Sequence, residues 1–321
     1  MNHSFRLICP TCKTALRENT VCESCGKKCV WLKEGRLVSL QVGSDHFYQG
    51  CYEGFWKRRG GPTIPLRHTL LSFRERLSLS ARRERFFRNY LRGEENLLIL
   101  DVACGYGRKL FTEYGKVIGL DIVLEPLLET SDLYDLCVHA DAFSIPFPSE
   151  YFDYVVSSDF LGHVPLEQKD DLYQELRRVL KPRGNMLHVV ETDANNWHFR
   201  FAHRYPDLFQ RYFVEGIGGH FGLELPSRAI ERLEANGFKV LVARKIWGEL
   251  WEIEGYKWVF DNEYKYKSKL IYSLVTLSRI LSANVVVREA LNIVLNPISA
   301  VVERLTPLDN GQGLLVFCQK V

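Results

Sequence analysis

Three aspartates, each at the end of a short apolar run, limit the folds open to this chain more than any other feature. Asp101 lies within the run 97–102, Asp121 follows residues 117–120, and Asp141 follows residues 136–140. The first run is almost continuously apolar, as a strand buried on both faces of a sheet requires. Apolar runs that alternate with helical patterns predict a parallel sheet built from βαβ units, with the three carboxylates along one edge.

The same alternation continues along the chain and predicts an α/β fold with additions at both ends. Helices are predicted over 166–180 and 226–236. Further strands are predicted over 154–157, 185–190, 238–246 and 314–318. The resulting regions are a cysteine-rich module (1–42), a basic helical connection (43–95) with its helix near 66–92, the α/β core (96–248), a helical insertion (249–311) and a last core strand (312–321).

Two Cys-x-x-Cys pairs define the N-terminal module. Cys9 and Cys12 are separated by nine residues from Cys22 and Cys25, so two tight turns can direct four thiolates at one tetrahedral ion. A ribbon of this size buries little apolar surface by itself, so a metal would supply folding energy. The spacing predicts a structural zinc ion; a group of buried free cysteines is the alternative, and Cys29 is expected to pack as a hydrophobe.

Cysteine usage and the N-terminus indicate a compartment. Five of the nine cysteines crowd into residues 9–29, which is unlike a disulfide framework. No apolar leader precedes them, and no run reaches the roughly 18 apolar residues of a spanning helix. We therefore expect a cytoplasmic protein without a transmembrane segment.

The loop after the first core strand suits a nucleotide-like ligand. Residues 103–107 include Gly105 and Gly107, and small residues let backbone approach a ligand at a strand end. Asp121, 20 residues after Asp101, is placed to accept hydrogen bonds from ribose hydroxyls, and Asp141 to accept from the exocyclic amine of a base. For any single aspartate, a helix N-cap is the alternative.

Residues 97–192 resemble the class I S-adenosylmethionine-dependent methyltransferases, specifically the ubiquinone/menaquinone-methyltransferase-like branch. The matching stretches are Leu100–Gly107, Gly119–Asp121, Asp141–Ala142, Pro146–Pro148, Phe152–Ser158 and Leu180–Gly184. The resemblance implies a Rossmann-like sheet, here with a zinc ribbon before it and a helical insertion before its last strand. A nicotinamide dehydrogenase is the rival on the same fold; the stretches 152–158 and 180–184 argue against it.

The resemblance also assigns cofactor roles. Asp101 and the 103–107 loop would face the methionine moiety, Asp121 the ribose, and Asp141 the adenine, with Ser158 near the methionine end. The cofactor residues it implies are Asp101, Ala103, Cys104, Gly105, Gly107, Asp121, Ile122, Asp141, Ala142 and Ser158.

Three residues are candidates for contact with the methyl acceptor. His163 follows the fourth strand and Glu191 ends the fifth, beside the expected point of methyl transfer; His188 and Asp193 flank that strand end. His220 lies in a Gly-Gly-His-Phe loop before the next helix. A structural role for His163 and a satisfied surface histidine at 220 are the alternatives. The aromatic segment 195–203 is interpreted as a lid or as packing.

Two further segments bear on the acceptor. Lys265, Lys267 and Lys269 precede apolar helical stretches in the insertion, which suits contact with a membrane surface, a cap over an apolar pocket, or packing against this domain or a second subunit. Residues 57–92 hold eleven basic and two acidic residues, a net +9, while the whole chain carries +3. That segment could follow phosphates of nucleic acid or lipid, or be an exposed helix face.

Three functions remain open. The first is a methyltransferase acting on a small or lipid-linked, amphiphilic acceptor. The second is a ribosomal RNA methyltransferase, in which the zinc ribbon would recognise RNA. The third is a zinc-ribbon binding module on an inactive scaffold, which the three intact acids disfavour.

Overall fold

The computed structural model describes residues 5–16, 21–40, 79–216 and 219–321. These residues form a nine-stranded sheet with helices on both faces. The strands are β1 (Val30–Leu32), β2 (Leu37–Ser39), β3 (Leu97–Val102), β4 (Gly115–Asp121), β5 (Leu136–His139), β6 (Phe152–Ser158), β7 (Leu180–Glu191), β8 (Phe238–Ile246) and β9 (Gly313–Lys320).

The strand order across the sheet is β1-β2-β5-β4-β3-β6-β7-β9-β8. The strands from β5 to β7 are parallel, so their carboxyl ends meet at one edge. β9 is antiparallel to both neighbours and lies between β7 and β8. Without β9, the order of the six core strands is that of the doubly wound fold, whose ligands bind at the carboxyl edge. The predicted α/β fold is therefore confirmed.

Helices and turns connect the strands. The α-helices are α1 (Leu79–Leu91), α2 (Leu124–Thr130), α3 (Lys169–Val179), α4 (Trp197–Ala202), α5 (Pro206–Phe209), α6 (Pro226–Ala235), α7 (Gly255–Phe260), α8 (Lys269–Ala283) and α9 (Val285–Leu305). A π-helix spans Gln210–Glu215. The 3-10 turns are Lys33–Gly35, Lys109–Glu113, Ala142–Ser144, Leu166–Gln168, Glu263–Lys267 and Leu308–Asn310.

The alternation of side chains along the central strand explains the two-sided core. Leu100 and Val102 point into one buried cluster, and Leu97 and Ile99 point into the other. Successive strand residues face opposite sides, so a strand buried on both faces must be apolar throughout. The apolar run that suggested β3 is a direct consequence of this arrangement.

The structure bears on three further segments expected to be helical or to adjoin a helix. The glycine-rich loop leads only into the 3-10 turn Lys109–Glu113, because just twelve residues separate β3 from β4. The helix expected over 66–92 is described only as α1, and residues 66–78 lie outside the described residues. Pro297 predicts a break or a kink in the last helical stretch; a break is not observed, since α9 runs through this residue.

The cysteine-rich module joins the core sheet. β1 and β2 form a hairpin whose second strand pairs in parallel with β5. The Ser39 hydroxyl lies 2.8 Å from Nδ1 of His139 on β5, and Leu7 and Cys29 are buried in the core of the α/β domain. The predicted boundary after residue 42 lies outside the described residues.

The insertion has an apolar cluster of its own. Phe199 and Phe213, from the 194–213 segment, pack with Trp251, Phe260 and Tyr264 of the insertion. The segment expected as a lid or packing element is therefore ordered as α4 and packs directly on the insertion. By length and composition alone, α9 could cross a membrane, with 11% of its most apolar window buried in the protein. The expected absence of a transmembrane segment stays a prediction.

Candidate active site

Asp101 and the loop after β3 form the centre of the candidate cofactor site. The Asp101 carboxylate is buried and accepts a hydrogen bond of 2.7 Å from the Tyr134 hydroxyl. Burial raises the pKa of Asp101 to about 7, although Tyr134 and the nearby Arg108 lower it. The sequence contains no local signal for Tyr134, which reaches the site only because the chain turns back after α2.

The glycine-rich loop has a left-handed backbone. Gly105 and Gly107 have φ of +51° and +66°, and Ala103 has φ of +54°, a conformation that costs a residue with a Cβ roughly 1 kcal/mol. A Cβ on Gly107 would lie 2.8 Å from the Thr130 methyl group. The Cys104 amide donates to the Leu120 carbonyl, which ties the loop to the end of β4.

Asp121 holds this loop against β4. Its Oδ2 accepts from the Gly105 amide at 2.8 Å, and its Oδ1 accepts from the Val123 amide at 2.9 Å. Burial raises the pKa of Asp121, whereas these backbone amides lower it. Each carboxylate oxygen has two lone pairs, so acceptor capacity remains for a ligand.

Asp141 takes the capping role that was its alternative. Its Oδ1 accepts from the Phe143 amide at 2.9 Å, at the start of the turn that contains Ala142. This bond leaves the second oxygen available, so capping and ligand binding are compatible. The Ile122 carbonyl lies 3.0 Å from Nε2 of His139, which joins the ends of β4 and β5.

Ser158, at the end of β6, belongs to a polar network that sequence reasoning missed. The Arg108 guanidinium donates to the Ser158 hydroxyl at 3.0 Å, and that hydroxyl donates to Asp159 at 3.3 Å. Asp159 also forms an ion pair with Arg83 of α1, whose guanidinium carbon lies over the Trp247 ring, 4.6 Å from its centroid. The basic helix α1 is thus part of the wall of this site.

The three acceptor-side candidates meet in space. Nε2 of His163 lies 3.7 Å and Nε2 of His220 lies 3.9 Å from Oε1 of Glu191. The two imidazole rings stack, with centroids 4.6 Å apart and planes 22° apart. Parallel neighbours β6 and β7 place His163 and Glu191 at the same edge, and the loop before α6 adds His220.

Burial shifts the pKa values of the acid and one of the bases in this cluster in opposite directions. Burial, together with the charge of Asp159, raises the pKa of Glu191 to about 8, although Arg83 lowers it. Burial lowers the pKa of His220 to about 4, and His163 adds to that effect. Opposite shifts in adjacent acids and bases are typical of sites that move protons or bind ions.

Two other candidates near β7 have structural roles. His188 is buried inside the sheet, with Nδ1 2.7 Å from the Ser157 hydroxyl. Its side chain therefore lies within the core and not at the carboxyl edge of the sheet, where methyl transfer is expected. Asp193 forms an ion pair of 2.8 Å with His203 at the surface.

The four cysteines form a separate cluster in the ribbon. Sγ of Cys9 lies 3.5 Å from that of Cys25, and Sγ of Cys12 lies 3.5 Å from that of Cys22. Four sulfurs about 2.3 Å from a tetrahedral zinc ion would be roughly 3.8 Å apart, so the cluster fits the ion. Cys29 stands outside this group.

Several known proteins are similar to the α/β core of this chain. Residues 100–188 match the family model described as "Methyltransferase domain". Demethylmenaquinone methyltransferase of Staphylococcus saprophyticus is 39% identical over 107 residues, covering 29% of this chain and 43% of that protein. Phosphoethanolamine N-methyltransferase of Plasmodium falciparum is 28% identical over 131 residues, covering 39% and 45%. The crystal structure of a putative methyltransferase from Bacillus halodurans is 18% identical with a TM-score of 0.49, covering 75% and 99%.

The similarity to methyltransferases therefore lies in residues 100–188, within the α/β core. The chain spans less than half the length of the two curated relatives above, at 43% and 45%. The ribbon and the helical insertion lie outside the matched residues.

Proposed function

We propose that this protein transfers a methyl group from S-adenosylmethionine to a small or lipid-linked, amphiphilic acceptor. The observation that carries the proposal is the carboxyl edge of the sheet. There Asp121 and the glycine-rich loop form a cradle without side chains at Gly105 and Gly107, next to the buried carboxylate of Asp101.

Each part of S-adenosylmethionine would be bound by predicted cofactor residues. The free lone pairs of Asp121 would accept from the ribose hydroxyls, and Asp141 and the Ala142 amide would bind adenine. The Asp101 carboxylate and Ser158 would face the positively charged methionine end, where burial strengthens the attraction. The sulfonium supplies a reactive methyl group, so the protein must align the acceptor with it and exclude water.

We propose that the four ribbon cysteines hold a structural zinc ion. A site closed by four cysteines has no open coordination position and performs no chemistry. Since β2 of the ribbon pairs with β5, the ion would stabilise the edge of the sheet next to the predicted adenine site.

The acceptor preference rests on the surface of the insertion. Leu270 and Ile280 of α8, and Val286 and Leu305 of α9, are between 65% and 80% exposed. Lys267 and Lys269 lie at the start of this helical pair. Exposed apolar helices with basic residues at one end suit peripheral contact with an anionic membrane, where a lipid-linked acceptor would reside. Cytoplasmic localisation stays a prediction.

The arginines of α1 favour this acceptor over RNA. Arg82 pairs with the buried Glu303, Arg83 with Asp159, and Arg88 with Glu84 and Glu113. The guanidinium groups of Arg82 and Arg83, which are 25% and 13% exposed, are less available for phosphates than free surface arginines. The substrates in the names of the two relatives, demethylmenaquinone and phosphoethanolamine, are small molecules rather than nucleic acids.

The deciding experiment transfers labelled methyl groups from S-adenosylmethionine to fractionated extract of a deletion strain. Label in the lipid or small-molecule fraction is the expected result. Label in ribosomal RNA alone would replace this acceptor with the RNA alternative.

Membrane contact has its own test. The Ile280→Lys/Val286→Lys double variant should float with anionic vesicles much less than the wild type. Leu241→Lys, at an exposed apolar position on β8, is the matched control and should float normally. Equal flotation of all three proteins would rule out the helical pair as the contact surface.

A further inference from the structure

The cluster of His163, Glu191 and His220 has the donor set of a transition-metal site. Two imidazole nitrogens and one carboxylate oxygen lie within 4.8 Å of one another, and they come from three different segments of the chain. Ligand atoms about 2.0–2.2 Å from one ion would be roughly 3.0–3.5 Å apart. The observed 3.7 and 3.9 Å separations need only a small contraction to reach that range.

The ring of His163 is oriented like that of a metal-binding histidine. Nδ1 of His163 lies 3.2 Å from the Gly219 carbonyl oxygen. A ring nitrogen that donates to a carbonyl leaves the other nitrogen with a lone pair for an ion. In both rings the nitrogen that faces Glu191 is Nε2.

The convergence of these three donor groups favours a positively charged ligand between them. Nε2 of each ring lies nearest the same carboxylate oxygen, at a distance too long for a hydrogen bond. The other carboxylate oxygen of Glu191, Oε2, is buried and has no hydrogen-bond partner among the described residues. A proton can be shared by two of these atoms, whereas a metal ion satisfies three at once.

The surrounding backbone is built to hold the three donors together. The Gly222 amide donates to the Gly162 carbonyl at 2.9 Å, which links the loops that carry the two histidines. A Cβ on Gly222 would lie 1.8 Å from the Val164 carbonyl oxygen, and one on Gly162 would lie 2.8 Å from Cβ of Glu191. Only glycine permits this close approach at either position.

The cluster also leaves room for a ligand. The side chains of His163, Glu191 and His220 are 22%, 13% and 16% exposed, so one side of the cluster is open. Three protein ligands with open positions are typical of sites that bind substrate, unlike the closed set of four cysteines. The carboxylate of Asp159, hydrogen-bonded to Ser158, connects the cluster to the predicted methionine end.

We propose that His163, Glu191 and His220 bind one divalent transition-metal ion, and that this ion binds a hydroxyl group of the acceptor. Binding would release the hydroxyl proton to water and leave an oxyanion facing the methyl donor. The role of the ion in methyl transfer rests on the proposed function; binding of the ion does not.

The test titrates Co²⁺ into full-length protein whose cysteine site is already loaded with zinc. One equivalent should bind, with visible absorption that lacks sulfur-to-cobalt bands. His220→Ala and Glu191→Gln should each weaken binding at least 100-fold. His203→Ala removes a histidine paired with a carboxylate at the surface and should bind cobalt normally.

Thermal unfolding and S-adenosylmethionine affinity, measured on the same variants, separate loss of the ion from loss of the fold. Wild-type cobalt affinity in both folded variants, or no binding to the wild type, would overturn the proposal. Cobalt binding without methyl transfer to any fraction would overturn the proposed function and leave the metal site standing. Methyl transfer by a protein that binds no cobalt would overturn the metal site and leave the proposed function standing.

Discussion

Replacement of Asp121 by alanine tests the cofactor site most selectively. If each oxygen of this carboxylate uses its remaining lone pair on a ribose hydroxyl, the variant loses hydrogen bonds to a charged partner. Such bonds contribute roughly 1.5–3 kcal/mol each. Water that enters the vacated space would compensate for part of the two lost hydrogen bonds. A net loss of about 1.5–3 kcal/mol lowers affinity for S-adenosylmethionine about ten- to a hundredfold.

The assay is calorimetric titration of S-adenosylmethionine into both proteins, with Asp135→Ala as the control. Asp135 accepts from the Val117 amide at 2.9 Å, so its loss also removes a bond from a carboxylate to the backbone of β4. It lies at the opposite end of that strand and should leave affinity unchanged. Unchanged affinity in Asp121→Ala, or an equal loss in the control, would refute direct ribose contact.

Three other predictions follow from the same geometry. The cationic methionine end favours ionised Asp101, whose pKa burial raises to about 7. Affinity for S-adenosylmethionine should therefore increase up to tenfold for each unit that the pH is raised toward 7, and stay constant at higher pH. Asp101→Asn should remove that pH dependence in the same titration, and a persistent slope would assign it elsewhere. Gly107→Ala should lower the unfolding free energy, measured in denaturant, by about 2–5 kcal/mol, because the new Cβ is strained by the left-handed backbone and overpacks against its neighbours. Gly105→Ala should lose only the backbone contribution, because the added Cβ would lie in open space. Equal losses in the two variants would contradict this. The Cys9→Ser/Cys22→Ser variant should lose one zinc equivalent in metal analysis, and an unchanged zinc content would exclude the cysteine cluster as the site.

The sheet was predictable from sequence because burial on both faces leaves a clear apolar pattern. β8 has the predicted limits, since Gly237 precedes it and the chain turns at Trp247, whose φ is +55°. β7 begins at Leu180, earlier than predicted, because residues before the expected start pair with β6 across a bulge at Phe152. Neither Pro182 nor Gly184 prevents this pairing.

The site was predictable only in part. Sequence position alone suggested each of the three acceptor-side residues. His163 and Glu191 lie at strand ends, and His220 lies in the Gly-Gly-His-Phe loop. Their convergence on one point depends on how the loop before α6 is held, which no local pattern contains. The same is true of Tyr134 on Asp101 and of Arg83 on Asp159, whose partners are 33 and 76 residues away in sequence.

The most direct test of the central claim compares the affinities of two cofactors for the whole chain. Calorimetric titrations with S-adenosylmethionine and with NAD, under the same conditions, measure both affinities. The account predicts binding of one equivalent of S-adenosylmethionine and far weaker binding of NAD. Tighter binding of NAD, or no binding of S-adenosylmethionine by correctly folded protein, would contradict it.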